Sequence, residues 1–173
     1  MQTNNPELSS YPYLFIGGRD FAYIFETTNG FRYEVKFKPS PYALGDDFAF
    51  GEHIYELVLK VVDSPTGKNP PFDAQTAPTV ATIIKDFYDS SALTITIYIC
   101  DTSDRREKAR WYKFNRWYDH FNANNYFRAD QSVLDDKDGV LYHCAFIIKA
   151  NNPNKMAVIT AFNRLMDGYN VVK

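Results

Sequence analysis

Apolar and polar positions alternate with period two from Phe21 to Phe37. Phe21, Tyr23, Phe25 and Thr27 share one side, and after a break Phe31, Tyr33, Val35 and Phe37 alternate with Arg32, Glu34 and Lys36. Asn29-Gly30 stands at the break and supplies the positive φ angles of a tight turn, so the pattern predicts a β-hairpin. His53 to Val62 continues the period, with Tyr55, Leu57, Leu59 and Val61 on one face. The period then changes. Val80, Ile83, Ile84 and Phe87 fall at i, i+3, i+4 and i+7, which predicts a helix from Pro78 to Asp89. Leu93 to Cys100 is almost continuously apolar and β-branched, the mark of a central strand covered on both faces. A long helix is predicted from Arg105 to Asn122, capped by Asp104 with Glu107 or by Ser103. Strands follow near Tyr126–Leu134 and at Val140–Lys149, joined by a turn at Asp138-Gly139. Asn152 caps a last helix, with Pro153 in its first turn and Gly168 at its stop.

The order βββαβαββα implies an α+β fold. One mostly antiparallel sheet of about six strands is expected, with three helices packed mainly on one face. Residues 1–12 read as a flexible N-terminal arm and 13–173 as one globular domain, a usual size for 173 residues.

Candidate chemistry concentrates between Leu93 and Phe121, where a strand ends on Asp101 and a helix follows. On a helical wheel Trp111, Phe114, Trp117, Tyr118 and Phe121 form one arc, while Arg105, Arg106, Lys113, Arg116 and His120 form another. Arg110 falls inside the aromatic arc. Its guanidinium needs a ring, a carboxylate or an escape to water, and Asp101 near the helix N-terminus is the natural carboxylate. Asp101, Arg106, Arg110 and Trp117 are therefore either a structural ion-pair region or a site open to an anion. The basic face of Arg105, Arg106, Lys113, Arg116 and His120 is a solvated surface or a contact for a phosphate backbone.

Composition narrows the function classes. Aromatic residues make up 17% of the chain, with 13 Tyr and 14 Phe, which reads first as a core packed with large rings. A net charge of −2 gives no general pull towards nucleic acid or anionic membrane. Cys100 and Cys144 lie in apolar strands and form neither a disulfide framework nor a metal spacing. His53, His120 and His143 share no ligand spacing, and Asp135, Asp136 and Asp138 lack the spacing of a calcium loop. Ser9-Ser10 and Ser90-Ser91 lack the glycines of a nucleophile elbow. Asp20 with Glu34 and Lys36 imitates the carboxylates and lysine of metal-dependent nucleases, although ordinary cross-strand charge pairing is the default reading. No basic, apolar leader and no membrane-length apolar stretch is present, so a cytoplasmic protein is expected.

Two patterns resemble an uncharacterised family of small bacterial proteins, mainly from Bacteroidota, described as a domain of unknown function. One is Tyr23-x-Phe25-x-Thr27-x-x-Gly30-x-x-Tyr33-x-Val35-x-Phe37. The other is Cys100-Asp101-x-x-Asp104-x-Arg106-x-x-x-Arg110-x-x-x-Phe114-x-x-Trp117, and Asn151-Asn152-Pro153 adds to it. The resemblance implies a shared fold and no activity.

The expectation is a non-enzymatic intracellular module that binds another protein, in a paired immunity or regulatory system, without cofactor, metal or membrane. The alternatives are a nucleic-acid or nucleotide-binding protein using the helix 105–122, and a metal-dependent nuclease or hydrolase.

Overall fold

A computed structural model describes residues 9–100, 106–135 and 139–170. Seven strands and three helices follow one another as β1 (Tyr13–Gly17), β2 (Ala22–Glu26), β3 (Arg32–Pro39), β4 (Ile54–Asp63), α1 (Thr76–Asp89), β5 (Ile95–Ile99), α2 (Glu107–Phe121), β6 (Tyr126–Asp135), β7 (Val140–Lys149) and α3 (Lys155–Asn170). They build a single sheet in the order β1-β2-β3-β4-β5-β7-β6. The α+β class holds. The sheet has seven strands rather than about six, and it is mixed rather than mostly antiparallel.

Both corrections have local causes. β1 has no burial alternation to betray it, because Leu14, Phe15 and Ile16 are all exposed at a sheet edge. The parallel pair is β4 with β5, in the register Ile54↔Ile95 to Glu56↔Ile97. The chain leaves β4, crosses through α1 and returns beside it, and such a crossover restores the strand direction.

The hairpin of β2 and β3 pairs Tyr23 with Val35 and Phe25 with Tyr33. Gly30 alone takes a positive φ, 78°, and its N–H donates to the Thr27 carbonyl. The turn is therefore looser than one with both Asn29 and Gly30 left-handed. α3 starts at Lys155, and the Asn152 side chain accepts from the Asn154 N–H at 2.8 Å. That helix runs through Gly168 to Asn170. The predicted cap of α2 at Ser103 or Asp104 lies outside the described residues.

Strand parity divides the core in two. Tyr33, Val35, Phe37, Leu57, Tyr98, Ala145 and Ile147 face α1 and α2. Ile54, Ile95, Ile97, Phe146 and Ile148 face the other way, against Val158, Ala161 and Phe162 of α3. Two helices thus share a face and the third covers the opposite one. β5, predicted to be covered on both sides, is buried from Ile95 to Tyr98. Among the described residues no helix packs on the outer face of β3, which carries charge instead, with Lys36 bonded to Glu34 at 3.0 Å and Lys38 near Glu56 at 3.5 Å.

Aromatic rings fill the α1 side. Phe37 stacks on Phe87 at 3.7 Å, and Phe21 meets Phe87 and Tyr55 edge-on. Phe21 holds a φ of 44°, a conformation disfavoured for a bulky residue and kept by these ring contacts.

Candidate functional site: the cleft between α1 and α2

α1 and α2 cross the same face of the sheet without closing on each other. Between them lies a cleft of about 1210 Å³. Leu57, Tyr98, Tyr126 and Ile147 make its floor, contributed by β4, β5, β6 and β7. Ala77, Ala81 and Ile84 of α1 form one wall, and Phe114, Trp117 and Phe121 of α2 form the other.

The walls differ in how they are held. α1 buries Val80, Ile83, Phe87 and Tyr88, whereas α2 buries only Trp111. Tyr88 anchors α1 from beneath: its hydroxyl donates to the Ile147 carbonyl at 2.6 Å and lies 2.6 Å from Thr96 Oγ1. Complete burial raises the Tyr88 pKa far above its ordinary value, so the phenol stays a neutral donor. α2 is tied more sparsely. The Tyr118 hydroxyl donates to the Tyr126 carbonyl at 2.8 Å, and Asn122 Oδ1 accepts from the Tyr126 N–H at 2.9 Å. Ala123 and Asn124, just past the helix, have φ of 44° and 61°. Asn124 lines the cleft, so a left-handed backbone position sits beside it.

Arg128 of β6 is the guanidinium that settles among the rings of α2. It lies 5.6 Å from the Trp111 ring and 5.1 Å from the Tyr118 ring, and it donates to Asn115 and Asp130. Tyr98 stacks on Phe114 at 5.1 Å. Its hydroxyl is buried and meets no hydrogen-bond partner in good geometry. Burial raises its pKa, and the nearby Arg128 charge offsets part of that rise.

The residues singled out from the sequence are spread over this region. Trp117 lines the cleft. Arg110 is half-buried in the first turns of α2, close enough to Cys100 for its charge to favour the thiolate. Burial outweighs that effect and pushes the Cys100 thiol up to about 11. Asp101 and Arg105 lie outside the described residues, so the Asp101–Arg110 pair does too. Lys113, Arg116 and His120 are exposed on α2, and Arg106 is exposed just before its first residue. Lys113 lies over the Trp117 ring at 4.7 Å; although the residue as a whole is exposed, partial loss of water around its ammonium, together with the Arg106 charge, lowers its pKa.

His143 stacks on Trp111 and shares a 2.7 Å hydrogen bond with Ser132, its direct cross-strand neighbour. Glu34 pairs with Lys36 on the side of β3 turned away from α1 and α2. Among the described residues no three His, Cys, Asp or Glu gather closely enough to hold a metal ion. Cys100 and Cys144 are free and belong to opposite faces of the sheet. No helix among the described residues is long and apolar enough to cross a membrane.

The cleft itself escaped sequence reasoning. Its one visible signal was the excess of aromatic residues on α2 over what a single helix stripe needs for packing.

Neither a curated protein nor a solved structure matches the chain. A family model described as a Family of unknown function (DUF6169) matches residues 72–164, just over half of the chain. The match takes in α1, β5, α2, β6 and β7, and with them both walls of the cleft and most of its floor. The β2–β3 hairpin lies outside it. The chain therefore belongs to this family of unknown function.

Proposed function

We propose that the protein is a non-enzymatic binding module, and that it holds another protein by an apolar segment laid between α1 and α2. One observation carries this reading: an open cleft of about 1210 Å³ whose walls and floor are aromatic and aliphatic. Pockets for small molecules occupy roughly 300–1,000 Å³, so this volume suits a run of several side chains better. Aromatic residues are also those that protein interfaces enrich and that carry most of their binding energy.

Selection of random dodecapeptides displayed on phage against the purified chain tests the reading. Apolar, aromatic-rich peptides should be enriched. Their binding should be lost in Ala81→Trp, which fills the cleft, and weakened in Trp117→Ala, while Arg116→Ala leaves it intact. Failure to enrich any sequence, or binding indifferent to both cleft variants, would overturn it.

The basic face of α2 favours a second reading, a nucleic-acid contact. Arg106 lies near enough to Lys113 to depress its pKa, which marks a concentration of like charge. Mobility shifts with single- and double-stranded DNA and RNA at low salt test it. Salt-sensitive binding that falls in Arg116→Ala would support it, and no shift at low salt would exclude it.

A further inference from the structure

The cleft is apolar along most of its length and charged at one end. Apart from tyrosines, the described residues of its lining include three ionisable groups, Lys85, Asp89 and Lys149. Both lysines depend on the one carboxylate. Lys85 Nζ is 2.6 Å from Asp89 Oδ2, while Lys149 Nζ reaches Asp89 Oδ1 only at 3.5 Å. The Lys149 side chain is 24% exposed, so its stem is packed, and the only described ion partner of its ammonium is distant and shared. An ammonium served in this way gains from a second anion. Asn124, Asn125 and Asn151 surround the same end and add amide donors.

The Ala150 N–H donates to the Asn125 carbonyl at 2.9 Å, which continues the β6–β7 ladder past Tyr126↔Lys149. Asn124, Asn125, Ala150 and Asn151 all line the cleft, so the end of this ladder and Lys149 share one end of it. Two ammonium groups face one carboxylate there, a net positive charge that complements a carboxylate.

We infer that the cleft recognises the C-terminus of its partner, with apolar side chains between α1 and α2 and the terminal carboxylate on Lys149 and Lys85. The inference rests on the reading of the cleft as a protein-binding site and adds the direction and the charged end of the bound segment. Ammonium–carboxylate bonds are the strong, charge-assisted kind, and Asp89 is their competitor within the site.

An array of immobilised heptapeptides tests it. The peptides are drawn from Leu, Ile, Phe, Trp, Gly and Ser, and each is made once with a free C-terminal carboxylate and once as the carboxamide. The array is probed with the full chain. The acids should bind about tenfold more tightly than the amides, the worth of one hydrogen bond to a charged group. Lys149→Met should erase that preference and Lys85→Met reduce it. Asp89→Asn should strengthen acid binding by removing the competitor, an outcome that a purely structural role for Asp89 does not produce. Melting curves confirm that each variant is folded, and Lys85, exposed on α1, serves as the arm least exposed to misfolding.

Equal binding of acids and amides, still abolished by Ala81→Trp, overturns the inference and leaves the cleft reading standing. No binding of either form overturns both.

Discussion

Helices α1 and α2 lie side by side on one face of one sheet, yet they spend their apolar residues differently. α1 sinks its stripe into the core, with Val80 and Ile83 at 1% and 0% exposure. α2 carries more large rings but buries Trp111 alone, and Phe114, Trp117, Tyr118 and Phe121 stay partly open. A helix that only had to be held in place would not need so many half-covered rings. The difference separates a residue set that builds the domain from one that is available to a ligand.

Replacing a core ring of α1 should break this contrast most severely. Phe87 touches Phe21, Phe37 and Tyr55. Phe87→Ala should cost about 3–5 kcal/mol, read as a large drop in melting temperature or denaturation midpoint. Tyr88→Phe comes next. It removes the donor to Ile147 and the partner of Thr96 without changing shape, which should cost about 1–3 kcal/mol. On α2, Trp117→Ala should cost less, about 2 kcal/mol, because its ring is only partly buried, yet it should weaken peptide binding. A Trp117→Ala loss as large as that of Phe87→Ala would erase the distinction between the helices.

The smallest effect concerns the thiols. Burial pushes both Cys100 and Cys144 from an ordinary 9.0 to about 11. Each therefore favours the folded state fully below pH 9, and that contribution falls away as pH rises from 9 to about 11, because only the unfolded chain ionises there. Cys100 packs in the same cluster as Trp111 of α2, whereas Cys144 packs under α3. If α2 opens more readily, Ellman's reagent should modify the Cys144→Ser variant, which keeps Cys100, faster than Cys100→Ser. Equal rates would mean that α2 is held as firmly as α3.

What could be read in advance follows from where burial leaves a periodic mark. The hairpin, β4, β5, β7 and the three helices each have one face or both faces covered, and the covered residues repeat with period 2 or 3.6. β1 had no such mark, since its apolar residues are exposed at the edge. The direction of β5 relative to β4 is a property of the crossover and not of either strand. For the site, Trp117 was identified from the aromatic arc of α2. The cleft, Lys149 and Arg128 were not, because each depends on segments far apart in the chain being neighbours in the sheet. Arg128 fills among the rings the kind of place that the helical wheel suggested for Arg110, and it comes from a different element.

Mapping backbone amide shifts of the ¹⁵N-labelled full chain with the tightest-binding heptapeptide acid tests the central claim most directly. The account predicts changes along residues 77–85, 114–126 and 147–151, the two walls and the charged end of the cleft. Changes confined to the β1 edge at Tyr13–Gly17, or to the exposed side of α2 around Arg106 and Arg116, with the cleft amides unmoved, would contradict it.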